Sequence, residues 1–189
     1  EFYMELKTFY NNIYDTGRID DTFKETIIFP IFKKGCSELP CNYRGISFMN
    51  SIAKVFMGIL NERIQQFVEK HSILNEYQAG FRPNYSTVDN IYNLASIVHL
   101  KFEEKKKVYA FFVDFKAAFD KVPRKLLIFK LHMLGLTTKI VNVIESIYSD
   151  TKVAVWTGNE VSEKFSTHSG VKQGCILSPL IYALSKRFT

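Results

Sequence analysis

The chain has 189 residues and a mass of 21.9 kDa, the size of one ordinary domain or of a piece cut from something larger, and leaves little room for a second full domain. Hydrophobic residues make up 47% and aromatic residues 15%, with 17 Phe and 10 Tyr against one Trp, which supplies a core and rules out intrinsic disorder. Against 19 Asp plus Glu stand 25 Lys plus Arg, and a formal charge of +6 favours polyanionic partners such as nucleic acid.

Apolar spacing at Phe2, Leu6, Phe9, Tyr10 and Ile13 predicts a helix over 2–14, closed by Asp15-Thr16-Gly17. Thr26 to Phe32 is β-branched and aromatic and reads as a strand, with Pro30 marking an edge or a bulge. A long amphipathic helix follows over 50–70 behind an Asn50 or Ser51 cap, and a second over 87–105 behind Ser86 or Thr87. Val108 to Phe115 is an almost unbroken apolar run, expected to be a central strand covered on both faces, with Phe111, Phe112 and Phe115 in the core. Helices are expected at about 123–134, opening near Pro123 and stopping at Gly135, and at 138–149. Lys152 to Thr157 and Glu163 to His168 alternate around Gly158-Asn159 as a hairpin, and Ser169 to Thr189 is a Gly-containing loop running into a helix.

A carboxylate at the end of a buried strand costs several kcal/mol unless it is satisfied, so Asp114 needs a partner. It is either a cap for the next helix or a ligand for a hard cation such as Mg²⁺, which takes oxygen donors and holds phosphates at the same time. Asp120 is expected to pair with Lys121 or Arg124 and need not touch metal. About 55 residues beyond Asp114, the loop Ser169 to Pro179 supplies two glycines and Gln173 ahead of a helix, so its backbone can approach a flat ligand closely.

Phe112-Val113-Asp114-Phe115-Lys116-Ala117-Ala118-Phe119-Asp120 resembles the first catalytic motif of reverse transcriptases. Ser169-Gly170-Val171-Lys172-Gln173-Gly174-Cys175-Ile176-Leu177-Ser178-Pro179 resembles the second, in the version of non-LTR (LINE-type) retrotransposons. Upstream, Pro30 to Gly35 followed by Asn42-Tyr43-Arg44-Gly45-Ile46-Ser47 is similar to the fingers motif, with Gly45 where that family usually has proline. Glu76-Tyr77-Gln78-Ala79-Gly80-Phe81-Arg82 with Ser86-Thr87 is similar to the block that lies along the template. The resemblance covers residues 20 to 183 and implies a mixed α/β (α+β) fold: the fingers (about 1–107) and a partial palm (about 108–189) of a right-hand polymerase, with helices packed on a mainly antiparallel sheet.

It also implies roles. Asp114, with the carbonyl of Phe115, would bind Mg²⁺, two ions serving nucleotidyl transfer in the complete domain. Phe119 would exclude a ribose 2′-hydroxyl. Lys33 or Lys34 and Arg44 would clamp the triphosphate of a deoxynucleotide, and Gln173-Gly174 would border the incoming base pair. Gln78, Phe81 and Arg82 would contact an RNA template, paired with a DNA primer.

The family's third motif, an aromatic residue followed by Ala-Asp-Asp, is not in the sequence: no Asp or Glu follows Glu163, and Asp20-Asp21 lies in a polar turn upstream. Together with the abrupt start at Glu1 and the final Ser185-Lys186-Arg187-Phe188-Thr189, this reads as a fragment with no polymerase activity of its own. The alternative is a non-catalytic nucleic-acid-binding remnant of a decayed element. Nine Lys/Arg against four Asp/Glu between Lys101 and Lys130 read as a solvated helix end or as a phosphate track. The three cysteines and four histidines lack metal spacing, and Asn84-Tyr85-Ser86 is a glycosylation pattern without a secretory signal. Without a membrane span in the sequence, the expected location is intracellular, in nucleus or cytoplasm.

Overall fold

A computed structural model describes residues 1–186. Within these residues, helix α1 (Phe2–Thr16) and the short α2 (Asp21–Lys24) precede strand β1 (Thr26–Phe32). Asp20 caps α2 by accepting the Thr22 amide on Oδ1 at 2.9 Å. A 3-10 turn at Pro40–Asn42 leads into β2 (Tyr43–Phe48), which returns antiparallel to β1 with Ile31 opposite Arg44 and Pro30 opposite Gly45. Periodicity predicts no strand at β2, because Arg44 and Gly45 break the apolar alternation; pairing with β1 creates the strand.

Two long helices follow, α3 (Ser51–Lys70) and α4 (Thr87–Glu103), each close to expectation. Asn50 supplies the α3 cap and Ser86 the α4 cap, each accepting the amide two residues on. Then come α5 (Arg124–Met133), α6 (Thr138–Tyr148), the strands β3 (Lys152–Val155) and β4 (Phe165–Ser166), and α7 (Ser178–Lys186). The strands β3 and β4 pair antiparallel, extended by a Trp156–Val161 bridge around the expected Gly158-Asn159 turn.

The strand order is β2-β1-β3-β4, antiparallel at both outer pairs and parallel between β1 and β3, so the sheet is mixed and mainly antiparallel. Strand β3 covers β1 only along Thr26–Ile28. Pro30 lies beyond that stretch, where its missing N–H breaks no ladder. The core sits among the helices: Phe56, Met57, Leu60 and Ile64 of α3 join Leu127, Leu131, Ile144, Ile147, Ile181 and Leu184, all but excluded from solvent. Burying each such side chain contributes about 1.5–3 kcal/mol. Helix α5 packs on both α6 and α7, and α1 on α6.

One expectation fails. Val108 to Phe115 forms no strand: Tyr109 is 89% exposed, Phe111 92% and Phe112 78%, so neither these rings nor Phe115 are core. A strand exists only where a neighbour takes its N–H and C=O groups, and among the described residues none pairs with 108–115. Helix α4 likewise buries no residue, and Val88, Ile91, Tyr92 and Leu100 are exposed. Among the described residues no helix is long and apolar enough to cross a membrane. Of the expected terminal segment, residues 187–189 lie outside the described residues.

Candidate active site

After the extended run, the chain reverses at Ala117, whose carbonyl accepts the amides of Asp120 and Lys121, both at 3.1 Å. Ala117 adopts a left-handed φ of 54°, which costs a residue with a Cβ about 1–2 kcal/mol. The turn carries Phe119 inward. Its ring stacks on Tyr182 of α7, with centroids 4.9 Å apart and planes 16° from parallel, and meets the edge of Phe81 at 6.2 Å.

The same turn is stitched to the glutamine-bearing loop. Gly170 donates its amide to Val122 at 2.9 Å, Val171 to Phe119 at 2.9 Å, and Ser169 Oγ to the carbonyl of Asp120 at 3.2 Å. Beneath these bonds Arg124 gathers the loop. Its guanidinium donates to the carbonyls of Tyr148, Thr167, Ser169 and Gly170 and to the hydroxyls of Thr151 and Thr167. Arg124 is therefore taken up by backbone oxygens and hydroxyls, and among the described residues Asp120 forms an ion pair with neither Arg124 nor Lys121. Burial lowers the pKa of Arg124 from its ordinary value, partly offset by Tyr148.

Further along the loop, the Ser47 amide of β2 donates to the Gln173 carbonyl at 2.6 Å. Gly174, at φ 104°, lies so close to β2 that a Cβ there would meet Ile46 Cγ2 and the Ser47 carbonyl at 3.2 Å. Between them Lys172 turns inward, donating Nζ to the Lys24 carbonyl at 2.8 Å. Burial pulls its pKa down to about 8. Lys33, Lys34 and Arg44 are exposed at the open end of the β1–β2 pair, where Lys33 donates its amide to Asn42 at 2.9 Å, and none has an acidic partner among the described residues.

Gln78 is exposed and bonds only locally, to the Gly80 carbonyl at 3.2 Å. Arg82 is turned into the protein: it holds Glu69 by a two-pronged pair at 3.0 and 2.8 Å, donates to Asn75 and lies 3.9 Å over Tyr85. Its hydrogen bonds lower the pKa of Glu69. Asp114 is exposed in the unpaired run, and Phe115 lies under the ammonium of Lys186 at 4.9 Å. Among the described residues no three His, Cys, Asp or Glu converge as a metal site.

A family model described as "Reverse transcriptase (RNA-dependent DNA polymerase)" matches residues 31–185. The chain belongs to the reverse transcriptase family. Among curated proteins it is similar to the "Probable RNA-directed DNA polymerase from transposon BS" of Drosophila melanogaster, 31% identical over 180 residues, covering 95% of this chain and 20% of that protein. The corresponding protein "from transposon X-element" of the same species is 31% identical over 163 residues, covering 86% and 18%. The "Retrovirus-related Pol polyprotein from type-1 retrotransposable element R2" of Popillia japonica is 28% identical over 162 residues, covering 85% and 22%. The chain thus spans about a fifth of the length of the relatives it matches, which are of the non-LTR type.

Within this reverse transcriptase segment, four stretches distant in sequence meet: Phe119, the Gly170–Gly174 loop, Ile46-Ser47 of β2, and Phe81. Tyr182 and Arg124 were not anticipated as parts of the site. Nothing local marks Arg124, whose partners lie 24 to 46 residues away.

Proposed function

We propose that this chain forms the nucleotide- and template-facing part of an RNA-directed DNA polymerase acting on an RNA template and a DNA primer. The observation that carries the reading is the meeting of four motifs at Phe119 and Gln173: Phe119 touches Phe81 and accepts the Val171 amide, and the Gln173 carbonyl accepts the Ser47 amide of β2. In this reading Lys33 or Lys34 and Arg44 hold the triphosphate, a role suited to unpaired cations and above all to a guanidinium fork. Phe119, braced from two sides, presents a fixed wall to the sugar, and Gln173-Gly174 borders the base pair. Gln78 and Phe81 face the template, while Arg82, held on Glu69, shapes the loop that presents them.

Asp114 and the Phe115 carbonyl would contribute donors to a magnesium site only with further carboxylates. Magnesium binds through carboxylates plus substrate phosphates, so this set fails to fix a pair of ions. The 189 residues alone are therefore inactive in synthesis, and their site of action is intracellular, in nucleus or cytoplasm. A second reading, a nucleic-acid-binding segment without turnover, is favoured by that same single carboxylate. Metal-dependent primer extension tests both: no incorporation by this chain is expected, and incorporation lost in Asp114→Ala would contradict the inactivity. Binding of an RNA/DNA duplex at low salt, weakening as salt rises, is expected under either reading.

A further inference from the structure

An open groove of about 930 Å³ runs between α3, the loop over 79–87 and the start of α7, at the upper end of the space small-ligand sites occupy. One wall is a single face of α3, formed by Asn61, Glu62, Gln65 and Gln66; opposite stand Phe81 and Tyr85. We propose that this groove seats unstacked bases of single-stranded RNA, with Asn61, Glu62 and Gln66 meeting base edges, Phe81 stacking on a base, and the phosphates outside. The proposal rests on the reverse transcriptase reading and assigns α3 a part in it.

Charge decides which side of the strand enters. The arginine at the groove, Arg82, is bound to Glu69 and its side chain is only 6% exposed. The amide of Gln65 is occupied as well, donating to Glu69 at 2.7 Å. Open to a ligand are Glu62, touched by Gln66 Nε2 at 3.5 Å, and the amide of Asn61. An uncompensated carboxylate repels phosphate but accepts hydrogen bonds from exocyclic base amines, and amides serve either donor or acceptor edges. Phe81 is 61% exposed although its edge meets Phe119, which leaves ring surface for a base. Such a stack is worth about fivefold to a hundredfold in affinity.

The test is fluorescence anisotropy with the full chain and a labelled single-stranded RNA of about 12 nucleotides over a series of salt concentrations. Asn61→Ala with Gln66→Ala is expected to weaken binding at least about fivefold with an unchanged salt slope, since no phosphate contact is lost. Gln66→Glu, an exposed change that spares the fold, removes the amide donor and is expected to weaken binding as well. If the groove variants bind like the parent chain, the groove proposal falls, while the polymerase reading stands as long as the parent chain binds the RNA/DNA duplex. A reduced slope in the groove variants overturns the proposal too, because phosphates would then lie inside. If the parent chain binds the RNA/DNA duplex but no single strand, only the groove proposal falls; if it binds neither at low salt, both fall.

Discussion

Val171 donates its backbone amide to the carbonyl of Phe119 at 2.9 Å, across 52 positions of sequence, and with the Gly170–Val122 bond beside it locks two motifs together. Gly170 is the residue that permits this approach: it sits at φ 84°, and a Cβ would come within 2.8 Å of the Asp120 carbonyl. Gly170→Ala is expected to lower stability by at least about 2 kcal/mol in urea denaturation, from left-handed strain and the clash together. Gly58→Ala, in the middle of α3 with open space around it, is the control and is expected to stabilise by about 0.5–1 kcal/mol.

Arg124 holds that loop from below through donors in a planar fork. Arg124→Ala would remove the donor of several part-buried carbonyls at once and is expected to cost about 2–3 kcal/mol, with faster hydrogen exchange at the amides of Gly170 and Val171. Arg124→Lys is expected to recover only part of the loss, because one ammonium cannot span the same acceptors.

Lys172 supplies a pH signature. Its folded pKa, about 8, lies below the ordinary lysine value of 10.5, so between these values the unfolded chain binds more protons than the folded one. Stability therefore rises with pH through that window, by up to about 1.4 kcal/mol per pH unit from this group, and the burial penalty is fully present below it. Lys172→Met is expected to flatten the rise, read by comparing denaturation midpoints of the two proteins across the window.

The long helices were legible from their apolar spacing, and two of them also from a cap: Asn50 before α3, Ser86 before α4. The hairpin at Gly158-Asn159 announced itself by its turn. Val108 to Phe115 misled for a physical reason: its composition records the burial it is suited to, whereas strand formation needs a partner ladder, and none pairs with it among the described residues. Motifs of the site could be read one at a time, yet their meeting could not, since Ser47–Gln173 and Phe119–Tyr182 are made by tertiary packing between distant positions. Arg82 illustrates the same limit: a basic residue in a template-like motif has its charge satisfied by Glu69.

Photo-crosslinking locates the nucleotide most directly. An azido-deoxynucleoside triphosphate would be irradiated with the chain and an RNA/DNA primer–template, and the labelled peptides identified by mass spectrometry. Labels on Phe119, on Gln173-Gly174 and on the segment with Lys33, Lys34 and Arg44, lost on competition with unlabelled deoxynucleotide, are the predicted result. Labels confined to α1, α6 or other surfaces away from Phe119, or no competable label at all, would contradict it.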